Sequence, residues 1–229
     1  MGGTCNKRAM KTVLVTGASR GIGLELCRVL RSRGDNVIAV CRRPSSDLAG
    51  LGARTITDIN VTDERSIASL ARSLEGTRID VLIHNAGILR GESLGSIDYN
   101  SIREQLETNA LAPLRLTERL LPLLAPGAKI ALMTSRMGSI ADNTSGSMYG
   151  YRMSKAALNM AGASLARDLE ATGYAVIILH PGYVRTEMTG GHGNIEPKEA
   201  AEQLVARIDE LTLATTGRFL HASGEVLPW

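Results

Sequence analysis

The chain has 229 residues, of which 44% are hydrophobic and 21% charged, and its formal net charge is +3. This composition is that of a globular protein, and it lacks both the clustered basic face of a nucleic-acid binder and the ~20-residue apolar run of a membrane span. The three cysteines form no metal-binding or disulfide pattern, and residues 1–11 lack the apolar core of a secretory signal. We therefore expect a cytoplasmic protein that binds no metal, nucleic acid or membrane.

Strand-like and helical segments alternate along nearly the whole chain. Short apolar runs predict strands at 12–16, 36–41, 53–58, 80–84, 128–134 and 175–180. Apolar spacing and end signals predict helices at 22–33, 62–74, 100–124, 151–172 and 197–211. Thr62 is the predicted N-cap of the second helix, because its hydroxyl can accept a bond from the first turn.

This alternation predicts the architecture. Strands separated by helices of this length indicate βαβ units, and continuously apolar strands are typical of a parallel sheet covered on both faces. We predict a single doubly wound α/β domain of the Rossmann type over residues 11–229. Its sheet is expected to be mostly or fully parallel, with about seven strands and helices on both faces. Residues 1–10 are expected to form a flexible tail.

A glycine-rich turn, TGASRGIG at 16–23, connects the first predicted strand to the first predicted helix. A dinucleotide pyrophosphate needs a backbone free of side chains, followed by a helix N-terminus with free N–H groups. On this interpretation Gly17 allows the tight turn, Gly21 allows the backbone to approach the pyrophosphate closely, and Gly23 allows the helix to pack on the strand. Because the spacing is G-x-x-x-G-x-G rather than G-x-G-x-x-G, a plain strand-to-helix turn stays an alternative.

The end of the second strand indicates which nucleotide would bind. NAD-binding domains place an acidic residue here to hold the ribose 2′-hydroxyl. This chain instead has Arg42 and Arg43, and Arg20 lies within the glycine-rich turn. Because a guanidinium binds phosphate oxygens in a bidentate manner, the pattern favours the 2′-phosphate of NADP. The alternative is that the two arginines after the strand are solvated surface charges.

Tyr151 and Lys155 lie four residues apart at the start of a predicted helix, and therefore on one helical face. An ordinary tyrosine has a pKa of about 10, and a nearby ammonium lowers that pKa by stabilising the phenolate. Tyr151 is thus a candidate general acid tuned by Lys155. The Y-x-x-x-K spacing alone is common, and ordinary packing of the tyrosine is the alternative.

Taken together, these motifs resemble the short-chain dehydrogenase/reductase family. The resemblance runs from Lys11 to the C-terminus, and the motifs fall in family order. They are TGASRGIG at 16–23, NAG at 85–87, Asn109 in ETNALAP, Ser135 after the fifth strand, YxxxK at 151–155 and PGYVRT at 181–186. Within the family, YGYRMSKAALNM and the ending LPW look most like the C-factor and sniffer-type carbonyl reductases.

The resemblance implies a role for each catalytic candidate. Tyr151 would protonate the carbonyl oxygen as hydride arrives at its carbon, and Lys155 would lower the pKa of Tyr151 and bond the nicotinamide ribose. Ser135 would donate a hydrogen bond to the substrate oxygen. Asn109 would kink its helix and hold a water for a proton relay to Lys155. The separation along the chain between Ser135 and Tyr151 is longer than that between the corresponding serine and tyrosine in many members of the family, so Ser139 stays an alternative.

The resemblance also implies the cofactor contacts. Residues 85–87 would line the adenine-ribose side and brace the sheet, and 181–186 would hold the nicotinamide carboxamide. Asn60 stands where the family has an aspartate, which makes its contact to adenine less certain than that of Val61. The predicted cofactor contacts are Gly17, Ser19, Arg20, Gly21, Ile22, Gly23, Arg42, Asn60, Val61, Asn85, Ala86, Gly87, Tyr151, Lys155, Pro181, Gly182, Val184 and Thr186.

The predicted function is the NADPH-dependent reduction of a ketone or aldehyde to an alcohol, with a small-molecule carbonyl substrate. Two alternatives stay open, namely a nucleotide-binding regulatory or signalling protein with incidental turnover, and an NAD-linked alcohol dehydrogenase. The family often associates through its two long helices, here 100–124 and 151–172, so a homodimer or homotetramer is expected. The glycine-rich segment 187–196 predicts a short, mobile lid over an open pocket.

Overall fold

The protein is described here by a computed structural model, over residues 9–229. The strands of this part are β1 (Thr12–Thr16), β2 (Asn36–Val40), β3 (Arg54–Ile56), β4 (Ile79–His84), β5 (Leu124–Met133), β6 (Ala175–His180) and β7 (Arg218–His221). Its α-helices are α1 (Gly21–Ser32), α2 (Ser46–Ala49), α3 (Glu64–Ser73), α4 (Tyr99–Leu106), α5 (Ala112–Leu120), α6 (Tyr149–Glu170) and α7 (Pro197–Glu210). The predicted flexible tail lies outside the described residues, except for the exposed Ala9 and Met10.

The seven strands form one sheet in the order β3-β2-β1-β4-β5-β6-β7, and every neighbouring pair is parallel. The predicted doubly wound, parallel α/β domain is therefore confirmed. The apolar runs locate six of these strands. The seventh, Arg218–His221, is missed because its sequence RFLH is short and half polar, and because it lies at the edge of the sheet.

Helices cover both faces of the sheet. Along β1, Val13 and Val15 pack into one hydrophobic cluster with α1 and α7, while Leu14 packs into a second cluster with α3, α5 and α6. Because successive strand residues point to opposite faces, both faces must be covered for every residue to be buried. This explains the continuously apolar strands of the sequence.

The segment 100–124 is mostly helical as expected, and a π-helical turn at Glu107–Leu111 separates α4 from α5 around Asn109, where the resemblance implies a kink. One local prediction is wrong. Thr62 does not cap the helix that follows it. Asp63 is the N-cap of α3, where its carboxylate accepts a hydrogen bond from the Ser66 N–H at 2.9 Å.

Within residues 9–229, no helix combines the length and the apolar character that crossing a bilayer would need. In the same residues, no group of three or more His, Cys, Asp or Glu side chains is arranged to hold a metal ion. The two cysteines of this part, Cys27 and Cys41, are free and buried. They contribute to the hydrophobic cluster beneath α1.

Candidate active site

The predicted site residues gather at the carboxyl ends of the central strands. The chain runs outward from β1 to β3 and then returns to β4 on the other side of β1. This reversal leaves a crevice between the loops that follow β1 and β4, and ligands of open α/β sheets bind at such a crevice. The loops after β1, β2, β4, β5 and β6 all end at this edge, because the strands are parallel.

The glycine-rich turn packs too closely against its neighbours for a side chain at Gly17 or Gly23. A Cβ added to Gly17 would lie 2.8 Å from the Ala86 Cα, and one added to Gly23 would lie 2.2 Å from the Gly17 carbonyl oxygen. A Cβ added to Gly21 would lie 3.5 Å from the Thr186 side chain, which this glycine faces. Gly23 therefore packs α1 against the turn itself, rather than against the strand as the sequence predicts.

The segment Asn85–Gly87, which follows β4, holds this turn in place. The Asn85 amide nitrogen donates to the carbonyl oxygens of Thr16 and Gly17 at 3.1 and 3.2 Å. In return, the Thr16 hydroxyl oxygen accepts from the backbone N–H groups of Asn85 and Ala86, both at 3.1 Å. The hydrogen bonds join the loops after β1 and β4 across the crevice, as the predicted bracing role requires.

The N-terminus of α1 lies at this turn without a side-chain cap. Arg20 is the N-cap residue, its side chain makes no capping hydrogen bond, and the first turn contains no acidic residue. Ser19 and Ile22, on either side of it, are half-buried. The N–H groups and the positive end of the helix dipole are therefore available to an anion, which fits a pyrophosphate.

The two arginines predicted to bind a 2′-phosphate differ in their surroundings. Arg42 is exposed, and its guanidinium has no hydrogen-bond or ion-pair partner among residues 9–229. Arg20 instead donates to a Glu187 carboxylate oxygen at 2.7 Å, and both side chains are exposed. The pairing of Arg20 with Glu187 could not be predicted from two residues so far apart in the chain.

The proposed adenine contacts lie near the ends of β3 and β4. The Asn60 amide oxygen accepts from the Thr62 N–H at 3.2 Å and from the Thr62 hydroxyl at 3.0 Å, so it already serves a local turn. Val61 lines a small cavity of the crevice together with Ala86 and Thr108. Val61 is thus better placed than Asn60 for the predicted contact to adenine.

The structure brings Ser135, Tyr151 and Lys155 together. Ser135 follows β5, and its hydroxyl lies within reach of that of Tyr151 in the first turn of α6, close enough to lower the pKa of Tyr151. The Lys155 ammonium lies 5.7 Å from the centre of the Tyr151 ring and donates to the Met133 carbonyl oxygen at 2.8 Å. The Tyr151 and Lys155 residues are only 8% and 5% exposed.

Burial dominates the ionisation of this group. It raises the pKa of Tyr151 to about 12, and the Ser135 side chain acts in the opposite direction. It lowers the pKa of Lys155 to about 8. Removal from water therefore acts more strongly on the Tyr151 pKa than the Ser135 side chain does. The lowering of that pKa by Lys155 stays a prediction.

Asn109 lies in the π-helical turn and is fully buried. Its amide oxygen accepts from the Ile88 N–H at 2.8 Å, and its nitrogen donates to the Ile88 carbonyl at 2.8 Å and to the Ser154 hydroxyl at 3.0 Å. A Cβ on Gly87 would lie 3.1 Å from the Asn109 amide oxygen and 3.7 Å from the Lys155 nitrogen. Asn109 and Lys155 therefore approach each other beside Gly87, at an irregularity in the helix.

The alternative serine, Ser139, has a different environment. Its hydroxyl donates to the Trp229 carbonyl oxygen at 3.2 Å and accepts from the Asp142 N–H at 3.1 Å. These contacts join the loop after β5 to the end of the described chain. The geometry thus brings Ser135, and not Ser139, to Tyr151.

The segment predicted to hold the nicotinamide follows β6. Pro181 and Gly182 are half-buried at its start, Val184 is buried and forms a parallel bridge with Ile195, and Thr186 caps a short 3-10 turn at Glu187–Thr189. The segment lies across the crevice from the glycine-rich turn.

The lid at 187–196 is as short as predicted, but it is extensively hydrogen-bonded rather than loose. The Thr189 hydroxyl oxygen lies 2.9 and 2.6 Å from the carbonyl oxygens of Val184 and His192, either of which can accept its proton. The Asn194 N–H donates to the Tyr183 carbonyl at 2.7 Å. Polar side chains and backbone groups thus compensate for the glycines of this segment, and its mobility stays a prediction.

The histidines at the ends of the strands differ in their contacts. His84 is a buried core histidine whose Nε2 lies 2.8 Å from the Thr117 hydroxyl oxygen. Burial lowers the pKa of His84 and of His180 to about 3, so both are neutral at physiological pH. His180 packs against His221 of the neighbouring strand, with ring centres 5.2 Å apart.

Two side chains of the site were not singled out by sequence reasoning. Thr16 precedes the glycine-rich turn and fixes the segment after β4, as described above. Ser154 donates to the Tyr151 carbonyl at 2.8 Å and accepts from Asn109, so it links α6 to the π-helical turn. Both residues lie inside quoted motifs, but only the folded chain shows their partners.

Comparisons with known proteins agree with this geometry. The family model described as short chain dehydrogenase matches residues 11–197. A 1-hydroxy-2-glutathionyl-2-methyl-3-butene dehydrogenase of Rhodococcus sp. (strain AD45) is 46% identical over 226 residues, which cover 96% of this chain and 100% of the relative. The C-signal protein of Myxococcus xanthus is 44% identical over 154 residues, which cover 66% of this chain and 93% of the relative.

Solved structures agree as well. The carbonyl reductase Sniffer of D. melanogaster superimposes with a TM-score of 0.90 at 29% identity, covering 96% of this chain and 100% of its own. An NADPH-bound carbonyl reductase from chicken fatty liver gives a TM-score of 0.86 at 30% identity, covering 97% and 100%. The predicted likeness to C-factor and sniffer-type proteins is confirmed, and the chain belongs to the short-chain dehydrogenase family.

Proposed function

We propose that this oxidoreductase uses NADPH to reduce the ketone or aldehyde group of a small molecule to an alcohol. The observation that carries the proposal is the buried group of Ser135, Tyr151 and Lys155, in which the lysine lies one helical turn after the tyrosine on α6 and 5.7 Å from the centre of its ring. This group lies at the same edge of the sheet as the glycine-rich turn. It can therefore act on a carbonyl placed beside a bound nicotinamide.

Several features of the crevice fit NADP. The positions of Gly17 and Gly23 leave no space for a side chain, and the N-terminus of α1 has no side-chain cap. Arg42 is exposed at the end of β2, where the 2′-phosphate is predicted to lie. A solved relative at 30% identity was crystallised with NADPH, which supports the same assignment here.

In the proposed mechanism, the bound nicotinamide supplies the hydride and the protein supplies orientation and a proton. Ser135 donates a hydrogen bond to the carbonyl oxygen. Tyr151, whose pKa of about 12 keeps it protonated at neutral pH, gives that oxygen its proton. Ser135 and the Lys155 ammonium stabilise the phenolate left behind, and water held beside Asn109 returns the proton through Lys155.

We expect the kcat/KM for reduction of a neutral ketone to fall as the pH rises through about 8. This ratio reports ionisations of the free enzyme, and burial lowers the pKa of Lys155 to about 8. Above that pH the lysine loses the ammonium that stabilises the Tyr151 phenolate. Tyr151 itself stays protonated over this range. The measurement is a series of initial rates from about pH 6 to about pH 10 at constant ionic strength.

The matched control is Lys155→Met, which removes the titrating group. Its residual activity should be low and should show no inflection near pH 8. A wild-type profile that is flat through pH 8 would contradict the assigned role of Lys155.

Substitution Arg42→Ala should weaken NADPH binding about tenfold and leave NADH binding within about twofold, since only NADPH offers the phosphate that the guanidinium would bind. Isothermal titration with both nucleotides measures the effect. Arg72→Ala is the charge-matched control, because the last turn of α3 lies at the amino ends of the strands. Equal losses for NADPH and NADH would contradict the contact.

A substitution in the Arg20–Glu187 ion pair should change the NADPH affinity in the opposite direction, towards tighter binding. Glu187→Gln removes the carboxylate that competes for Arg20, so NADPH should bind up to about fivefold more tightly, as expected for an exposed pair. NADH should be unaffected. If Glu187→Gln weakens NADPH binding, Arg20 is not a phosphate ligand.

The relatives favour two other activities that the same experiments separate. The Rhodococcus relative is named as a dehydrogenase, which supports oxidation of an alcohol at the same site. The likeness to the C-signal protein supports the signalling alternative. Turnover of alcohols with NAD but not of carbonyls with NADPH would select the first. Tight NADPH binding without turnover of any carbonyl would select the second.

Met153 and Met160, exposed on α6, support a homo-oligomer packed through this helix.

A further inference from the structure

Glu92 is a buried carboxylate that the proposed chemistry does not use. It lies in the loop between β4 and α4 and is 4% exposed. Its Oε1 accepts from the Ser101 hydroxyl and from the Gln105 amide nitrogen, both at 2.7 Å. Its Oε2 accepts from the Gly150 N–H at 3.0 Å. Within residues 9–229 no cation forms an ion pair with it, so the buried carboxylate is stabilised by neutral donors.

The start of α6 depends on this carboxylate. Met148, the N-cap residue, makes no side-chain capping bond, and both Ser147 and Met148 have left-handed backbone angles, with φ of 52° and 55°. Residues other than glycine keep such angles only where their surroundings hold them. Here the Glu92 carbonyl accepts from the Met148 N–H at 2.8 Å, and the Glu92 carboxylate binds Gly150.

Glu92 thus acts as the N-cap that α6 lacks. A helix N-terminus leaves N–H groups without partners and attracts negative charge, so a carboxylate bonded there is favourable. A Cβ on Gly150 would lie 2.4 Å from the Gln105 amide nitrogen and 3.1 Å from the Ile102 Cα. The first turn of α6 therefore sits directly on α4, with Glu92 and Gln105 fixing its position.

Tyr151 follows Gly150 immediately. We propose that Glu92 is a positioning residue for Tyr151, and that it holds the first turn of α6 so that the phenol meets Ser135. This inference rests on the proposed function, because it concerns the same tyrosine. It adds a residue that makes no hydrogen bond to the glycine-rich turn, and its loss should impair proton transfer and leave nucleotide binding intact.

The chemistry of the cluster requires an acceptor with two oxygens at position 92. All three side-chain contacts of Glu92 come from donors, whereas a glutamine would present its own NH₂ group to one of them. A double variant in which the two residues are exchanged, Glu92→Gln with Gln105→Glu, again pairs hydrogen-bond donors with acceptors. The introduced amide could accept from the Gly150 N–H and donate to the introduced carboxylate. That carboxylate could still accept from the Arg90 N–H, which Gln105 now binds at 3.0 Å.

The experiment compares full-length wild type, E92Q, the E92Q/Q105E double variant and S101A, in NADPH-dependent carbonyl reduction and NADPH titration. For E92Q we expect kcat to fall about 10–100-fold with the NADPH Kd within about twofold, since small misplacements of a reacting group cost that much. The double variant should recover most of kcat. S101A removes a hydrogen-bond partner of Glu92 that lies outside α6, and its kcat should stay within about threefold of the wild-type value. Hydrogen exchange at the start of α6 should accelerate in E92Q and slow again in the double variant.

Unchanged kcat in E92Q would overturn the inference, as would a loss shared equally by kcat and NADPH binding with no recovery in the double variant. If E92Q does not fold, Glu92→Asp is measured with the same expectations, because it keeps the carboxylate but moves it one methylene group away from its partners. If wild type reduces no carbonyl, the proposed function fails. The exchange rates then decide the inference alone, and equal rates in wild type and E92Q would overturn it.

Discussion

Replacing Tyr151 by phenylalanine should reduce carbonyl turnover about 10²–10⁴-fold, the range of a lost general acid. The substitution removes the hydroxyl that lies beside Ser135, while the ring keeps its place in the core. Lys155 keeps its bond to the Met133 carbonyl, so the lysine should not move. The measurement is the initial rate of NADPH consumption with a panel of ketones and aldehydes.

The matched control is Tyr149→Phe. Tyr149 begins the same helix, is half-buried, and its hydroxyl has no hydrogen-bond partner among the described residues. This variant should keep wild-type rates, and both variants should bind NADPH as wild type does. Activity of Tyr151→Phe equal to that of Tyr149→Phe would remove Tyr151 from the mechanism.

Substitution Gly23→Ala should abolish NADPH binding and destabilise the protein by about 2–4 kcal/mol, the range of severe overpacking. The added Cβ would lie 2.2 Å from the Gly17 carbonyl oxygen and 2.5 Å from the Asn85 amide nitrogen. Neither can yield easily, because Asn85 is also bonded to the turn. The turn must therefore open and move the N–H groups that would hold the pyrophosphate. Denaturant unfolding and NADPH titration measure the two effects.

Gly50→Ala is the control for this substitution. Gly50 caps α2 with ordinary backbone angles, and its added Cβ would meet no atom closer than 3.6 Å. Stability and NADPH affinity should both stay near those of wild type. A Gly23→Ala protein that binds NADPH normally would show that the turn is a structural connection, as the alternative interpretation of its glycine spacing holds.

The fold could be read from the sequence because its signals are local. Apolar runs and helical spacing depend only on neighbours along the chain, and six of the seven strands are recovered in this way. The broken helix at Asn109 is different. Its π-helical turn is held by hydrogen bonds to Ile88 and Ser154, which are distant in sequence. The helical spacing alone therefore does not predict the break, and only the family resemblance implies a kink at Asn109.

The same distinction runs through the candidate site. Spacing along the chain was sufficient to predict the doubly wound architecture, the glycine-rich turn and the Tyr151–Lys155 pair, because each depends on one or two adjacent elements. The folded chain was needed to show that Ser135 rather than Ser139 reaches Tyr151, that Arg20 pairs with Glu187 and that Glu92 caps α6. It was also needed to show the burial that raises the pKa of Tyr151. Burial and long-range pairing control these features, and both arise only when distant segments pack together.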